Sequence, residues 1–155
     1  MPKVLMDANA TMDFWQITTG GFSPLEASWE RGDYERVLKE ARLENGLVWP
    51  LSVILSVRRE GFSAISEGDE VALADKTGNV LGIMRVEEKF KVDLAREAKA
   101  VYGYDDPKHP GVIKVLRSSE LLLFGPIWAL RRPDLPFADL CKTPDELRAE
   151  FKARG

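Results

Sequence analysis

The sequence predicts an α+β fold, with a small, mostly antiparallel, barrel-like β-sheet and flanking helices. Three observations support this prediction. Short runs with strand character are separated by turns that contain glycine, segments with helical periodicity lie between them, and strands and helices do not alternate strictly along the chain. A doubly wound parallel sheet, which requires that alternation, is the weaker interpretation.

The N-terminal third is predicted to contain two helices. The segment Ser23-Pro24-Leu25-Glu26 has the spacing of a capping box with proline at the first helical position, so a short helix is expected to begin there. A second helix is expected after Gly32-Asp33 and is expected to end at Asn45-Gly46. Its apolar face consists of residues at helical spacing, namely Tyr34, Val37, Leu38 and Ala41.

The middle of the chain is predicted to form strands. Residues 47–57 are apolar, β-branched and partly alternating, which is typical of a strand, and Pro50 belongs at its start, at an edge or at a bulge. Residues 70–75 and 80–86 are expected to pair as a hairpin across the turn at residues 76–79.

The C-terminal half is predicted to mix both element types. Asp93 is expected to cap a helix that Gly103 closes. Further strands are expected at residues 112–116, 121–124 and 127–130.

A final helix is expected from Pro144 to about Arg154. Thr143 and Glu146 have the spacing of a capping box, and acidic residues in the first turn suit the positive end of the helix dipole. Leu147 and Phe151 lie on one face, so we expect this face to pack against the sheet or against a following domain.

Composition indicates one globular domain. The chain has 155 residues, of which 45% are hydrophobic and 30% charged, which suffices for a hydrophobic core. Its net charge of −3 disfavours nucleic acid as a partner. No internal disulfide can form because Cys141 is the only cysteine; it is expected to be buried and inert. With no long apolar stretch and no leader at Met1, we expect neither membrane insertion nor export, and a cytoplasmic location.

Three features are candidates for a binding site. His109, with Asp105 and Asp106 before it, allows a metal or acid–base interpretation, although a role in fixing the turn is favoured. The pair Gly20-Gly21 allows an anion-binding loop, although a tight turn is favoured.

The third candidate is formed by two arginine pairs. Guanidinium groups are well suited to binding sulfate or phosphate. These arginines and His109 are therefore the candidates for an anion site or an interface, although arginine pairs at strand ends are more commonly exposed to solvent. The pairs are Arg58, Arg59 and Arg131, Arg132.

Three separated groups of residues form a recognisable pattern. They are residues 20–25 (Gly-Gly-Phe-Ser-Pro-Leu), residues 49–51 (Trp-Pro-Leu) and residues 101–112, which begin with Val-Tyr-Gly and end with His-Pro-Gly-Val. In this order they resemble the N-terminal domain of the ATP sulfurylase (sulfate adenylyltransferase) family. The similarity runs from about Asp13 to Gly155.

The resemblance implies a single PUA-like domain over residues 1–155, without the catalytic nucleotidylyltransferase domain. In the complete enzyme, sulfate attacks the α-phosphorus of ATP, with magnesium, to give adenosine 5′-phosphosulfate and pyrophosphate. The family's Gln-x-Arg-Asn-Pro and His-x-x-His elements have no counterpart in this chain. We therefore assign it no catalytic, cofactor-binding or metal-binding residue, and expect it to be inactive alone.

The expected partner is the catalytic domain of an ATP sulfurylase, in the same chain or a separate one, and a homo-oligomer is a further expectation. Two other functions remain open at this point. One is a free-standing PUA-like module that binds RNA. The other is a regulatory or assembly subunit that docks through the face of Leu147 and Phe151.

Overall fold

A computed structural model describes residues 1–25 and 28–155 of the protein. The strands of these residues form one curled, half-barrel sheet with helices around it, which confirms the predicted α+β class. The strands are β1 Lys3–Leu5, β2 Ser28–Trp29, β3 Leu55–Ser56, β4 Glu70–Ala74, β5 Val80–Arg85, β6 Glu88–Lys91 and β7 Leu121–Ala129. All pairings described are antiparallel except that of β1 with β4.

The helices of the described residues lie between the strands and after the last one. They are α1 Ala8–Thr18, α2 Arg31–Glu40, α3 Arg59–Ala64, α4 Leu94–Tyr102, α5 Pro110–Leu116 and α6 Pro144–Arg154, with a short 3₁₀ turn at Ala138–Leu140. None of them is both long and apolar enough to cross a membrane.

Strand β7 is the centre of the sheet. Its first half pairs with β6 and β3, and its second half pairs with β5 and β2. Residues 121–125 are consecutively buried, so both faces of the strand are covered. The sequence predicted two strands here, at residues 121–124 and 127–130, because Gly125-Pro126 reads as a break. The structure instead contains one continuous strand that changes partners at Gly125.

Gly125 makes this change of partners possible. Its φ is 145°, in a region that residues with a Cβ atom rarely adopt, and a Cβ here would overlap the carbonyl oxygen of Arg85. Just beyond, the amide of Glu87 donates a hydrogen bond of 2.9 Å to the carbonyl of Phe124. The chain therefore bends between β5 and β6 while both remain paired to the same edge of β7.

The hydrophobic core lies between the sheet and α1. Phe14 and Ile17 of α1 are buried and belong to the same cluster as the apolar residues of the sheet. The fully buried sheet residues in that cluster include Leu55, Leu73, Leu81, Met84, Leu122 and Leu123.

Several predicted elements are confirmed. β4 and β5 form the expected hairpin, closed by the side chain of Asp75, which accepts hydrogen bonds from Thr77 and Asn79. These bonds, with that from the Thr77 hydroxyl as the largest cause, lower the pKa of Asp75 to about 2. Asp93 caps α4 by accepting from the amides of residues 95 and 96, and Gly103 ends the helix in the left-handed conformation.

The predicted strand at residues 112–116 is wrong, because these residues belong to helix α5. His109 caps this helix and Pro110 occupies its first position, which suits proline because no amide hydrogen is needed there. The β-branched residues that favoured a strand are accommodated in the helix by burial of Val112.

The predicted strand at residues 47–57 shortens to β3. Leu55 and Ser56 pair with Leu123 and Leu122, but the next part of that edge of β7 is occupied by β2, where Trp29 lies opposite Gly125. Residues 49–54 consequently have no strand to pair with.

The helix predicted to begin at Ser23 is also not found in residues 23–25, which form a turn. The Ser23 hydroxyl donates to the carbonyl of Gly20 instead of capping a helix. Glu26, the other half of the predicted capping box, lies outside the described residues. The next helix, α2, is confirmed, but it ends at Ala41, which is exposed and left-handed, and not at Asn45-Gly46.

The last helix is confirmed with its capping box, in which Thr143 and Glu146 exchange hydrogen bonds between side chain and backbone. Leu147 is half-buried, whereas Phe151 is 65% exposed. Cys141, expected to be buried, is exposed, because the segment before α6 lies at the surface.

We predict that Gly125→Ala lowers the free energy of unfolding by at least about 2 kcal/mol, since the added methyl group meets backbone and the φ angle becomes strained. Urea unfolding followed by circular dichroism measures this. Gly61→Ala is the matched control, because no atom lies within 4 Å of the added Cβ and the residue is helical. The control should gain up to about 1 kcal/mol; equal unfolding midpoints for the two variants would contradict the role assigned to Gly125.

Candidate functional site

A cleft of about 310 Å³ lies between α1, α4, α5 and residues 51–56. Its lining combines charged, hydroxyl and apolar side chains. The lining includes Asp13 of α1, Glu97 and Tyr102 of α4, Lys114 of α5, and Arg117, which follows α5. Four separate chain segments thus contribute to one concave surface, which is typical of small-molecule sites.

Asp13 is a carboxylate of the cleft that lacks partners among the described residues. It is half-buried, and no described residue donates a hydrogen bond to it or lies within 4 Å as a cationic partner. Burial raises the pKa of its carboxyl group, Asp7 adds to this effect, and the positive charge of Lys114 opposes it. Asp13 is therefore available to a cationic or donor group.

Glu97 lies at the base of the cleft and is 3% exposed. Its carboxylate accepts hydrogen bonds from the Tyr34 hydroxyl, at 3.1 Å, and from the Ser52 hydroxyl, at 2.8 Å. Burial raises the pKa of Glu97, and the two hydrogen bonds act against this. Burial and the charge of Glu97 together raise the pKa of Tyr34 above its usual value. This network joins α2, α4 and the segment before β3, which indicates a structural role.

His109 stabilises the start of α5. Its Nδ1 atom accepts hydrogen bonds from the amides of Gly111, at 3.1 Å, and Val112, at 3.4 Å, and so caps α5. The imidazole packs against the rings of Tyr102 and Tyr104, with centroids 5.1 and 5.4 Å away. Of the two aspartates before it, Asp106 accepts from the backbone of the turn.

The four candidate arginines are not brought together. Arg58 is exposed before α3, and Arg59 lies 3.7 Å from Glu120 at the start of β7. The other two follow the opposite end of that strand: Arg131 lies 3.8 Å from Asp134, and Arg132 donates to the carbonyl of Cys141. A nine-residue strand separates the two pairs by roughly 30 Å. They do not form a single anion site.

The Gly20-Gly21 segment does not present free amides to an anion. The amide of Gly20 donates to the carbonyl of Ile17 and that of Gly21 to the carbonyl of Gln16. The carbonyl of Gly20 in turn accepts from Arg148 of α6 at 2.9 Å. The segment is a turn that holds α6 against the end of α1.

The sequence patterns do not indicate the cleft. Asp13 lies in a helix that was not predicted, and Lys114 was placed in a predicted strand. Glu97 could have been found, since Leu94, Glu97, Ala98 and Val101 share the spacing of one helical face. A carboxylate on an otherwise apolar face is a signal of a buried polar group.

The C-terminal apolar segment, residues 130–151, carries several exposed apolar side chains. They are Leu130, Phe137, Leu140 and Phe151, which are 60%, 78%, 82% and 65% exposed. Phe137 also has a φ of 57°, which is uncommon for a bulky residue. So many exposed apolar residues in one short segment are typical of a surface that contacts another domain or protein.

Nowhere in residues 1–25 and 28–155 do three His, Cys, Asp or Glu side chains group in a way that could hold a metal ion.

We predict that raising the pH destabilises the wild type relative to Glu97→Gln. The folded-state pKa of Glu97 lies above its ordinary value of 4.5, so its stabilising contribution is complete below pH 4.5 and is lost as the pH rises through the folded-state pKa. Urea unfolding of both proteins between about pH 4 and pH 8 measures the difference.

Ser52→Ala provides a matched comparison for this prediction. It removes a hydrogen bond that lowers the pKa of Glu97, so the loss of stability should extend to higher pH. If the difference in free energy of unfolding between the wild type and Glu97→Gln does not vary with pH, the raised pKa assigned to Glu97 is wrong.

Comparisons with known proteins agree with the fold. A family model described as a PUA-like domain matches residues 1–132. Among solved structures, a hexameric APS kinase from Thiobacillus denitrificans has a similar fold, with a TM-score of 0.72 and 25% identity. The match covers 100% of this chain and 27% of that one.

Curated relatives are named sulfate adenylyltransferase. That of Symbiobacterium thermophilum is 44% identical over 155 residues, and that of Trichormus variabilis is 40% identical over 156 residues. Each match covers 100% of this chain but only 39% and 40% of the relative. The chain thus spans about two fifths of the length of these relatives. It belongs to the PUA-like domain family, and the relatives that match it over its full length are sulfate adenylyltransferases.

Proposed function

We propose that this chain is the N-terminal, non-catalytic PUA-like domain of a sulfate adenylyltransferase, acting in sulfate assimilation or sulfur metabolism. The observation that carries the proposal is the match itself, which covers the whole chain but about 40% of the relatives. The remaining three fifths of such a protein would contain the reactive groups. In the complete enzyme these groups would join sulfate to the α-phosphorus of ATP and release pyrophosphate.

The proposed role of this domain is to support the catalytic domain, and its C-terminal apolar segment is the surface for that contact. Leu140 and Phe151 are large, apolar and more than half exposed, so covering them would stabilise the assembly by about 25 cal/mol for each Å² of apolar surface buried. The face of Leu147 and Phe151, suggested from the sequence, contributes mainly through Phe151, since Leu147 is already half-buried.

Two further features fit this proposal. The exposed thiol of Cys141 suits a reducing compartment such as the cytoplasm. The net charge of −3 is unfavourable for binding the phosphates of RNA, so a free-standing RNA-binding module is not favoured. Self-association is a second proposed arrangement, supported by the description of the similar APS kinase as hexameric.

We predict that the purified chain does not convert ATP and sulfate. With ATP, sulfate and magnesium, pyrophosphate release should stay at the level of a reaction without protein, since the chain lacks the reactive elements. The full-length Symbiobacterium enzyme is the positive control. Turnover by this chain at a rate typical of enzymes, above about 1 per second, would overturn the proposal.

The docking surface can be tested in a chimera in which this chain replaces the matching part of the Symbiobacterium protein. Leu140→Ser with Phe151→Ser should lower the melting temperature of the chimera by several degrees, because apolar contacts between the domains are lost. The isolated chain should be nearly unaffected, since both residues are exposed there. Leu47→Ser, at a residue 52% exposed outside this segment, is the matched control; equal effects of the two changes on the chimera would contradict the assigned surface.

A further inference from the structure

The cleft between α1, α4 and α5 has no part in the function proposed above. Its volume of about 310 Å³ is at the lower end of the range for small-molecule sites. Its two sides carry opposite charges, and this arrangement identifies the kind of ligand that fits.

The positive side of the cleft comes from α5. Lys114 lies in α5 and Arg117 directly follows its last residue, and both side chains line the cleft. Both are exposed, and neither has a carboxylate partner within 4 Å among the described residues. The two cations are therefore free to bind an anionic group, for which a guanidinium and an ammonium are well suited.

The negative side comes from α1. Asp13 is half-buried and accepts no hydrogen bond from the described residues, which leaves a partly desolvated carboxylate without compensation. Asp7, by contrast, uses its carboxylate to cap its own helix through the amide of Ala10. Asp13 is thus the acceptor available to a bound ammonium group.

The carboxylate of Asp13 and the ammonium of Lys114 are close but not paired. Lys114 is near enough to lower the pKa of Asp13, yet the two do not form an ion pair within 4 Å. A molecule that bears both charges could bridge the gap. A simple anion would be repelled by Asp13, and a simple cation by Lys114 and Arg117.

The rest of the lining is apolar. Leu51, Ile54 and Val101 lie along the cleft, and Leu51 is 58% exposed. These side chains offer a surface on which an aliphatic group would lose contact with water.

We propose that this cleft binds a small zwitterion of the α-amino acid class with an aliphatic side chain. The ammonium group binds Asp13, the carboxylate binds Lys114 and Arg117, and the side chain lies against Leu51, Ile54 and Val101. The proposal rests on the cleft alone and does not depend on the activity of any larger protein.

Titration of the chain with L-leucine and L-methionine, followed by calorimetry and by NMR of the protein amides, tests the proposal. We expect saturable binding, with shifts confined to the segments that line the cleft, namely α1, α4, α5 with Arg117, and residues 51–56. Isopentylamine lacks the carboxylate and 4-methylpentanoate lacks the ammonium group. Each should bind at least about tenfold more weakly than L-leucine, the loss expected for one charge-assisted contact.

Variants locate the binding in the cleft. Asp13→Asn and Lys114→Gln should each weaken the binding of L-leucine at least about tenfold. Asp105→Asn and Lys99→Gln, which change exposed residues outside the cleft lining, are the matched controls and should bind like the wild type. Thermal melts establish that each variant is folded before its affinity is compared.

Three results would overturn the proposal. The first is the absence of saturable binding of either amino acid up to about 10 mM. The second is equal affinity for L-leucine and for its two single-charge analogues. The third is binding of AMP or inorganic phosphate in the cleft without competition from L-leucine, which would assign the site to phosphate-bearing ligands.

Discussion

The structure depends on one strand that must pair with four others. β7 is nine residues long, and its two halves have different neighbours on each side. This is possible only if the backbone at Gly125 approaches the carbonyl of Arg85 more closely than any side chain would permit. The curvature of the half barrel, the position of the β5 to β6 bend and the placement of β2 and β3 all follow from this local requirement.

The helices are held to this sheet by a second, polar constraint. The carboxylate of Glu97 joins Tyr34 of α2 to Ser52 of the irregular segment before β3. Because α4 also contacts α5, the network is linked through α4 to the helix that carries Lys114. The cleft is therefore lined by α4 and the irregular segment that this network joins, together with α1 and α5.

The sequence predicted those elements whose signals are local. The hairpin of β4 and β5, the caps of α4 and the capping box of α6 depend on residues within a few positions of one another, and all were found. Where competition between distant segments decides the outcome, prediction failed. Residues 47–54 have strand character but find the edge of β7 occupied by β2, and Gly125-Pro126 reads as a break but lies within a strand.

The candidate site shows the same division. Motifs in the sequence identified the family, because turn and cap residues such as His109 and Gly103 act on backbone groups a few positions away, so their pattern is visible in the sequence alone. They did not identify the cleft, since Asp13 and Lys114 lie far apart in the sequence and become neighbours only when α1 packs on the sheet and α5 packs on α4. The sequence by itself determined the caps of α4 and α6, the turn between β4 and β5, and the family; the tertiary structure alone decided which charges converge, because burial and proximity arise only from packing.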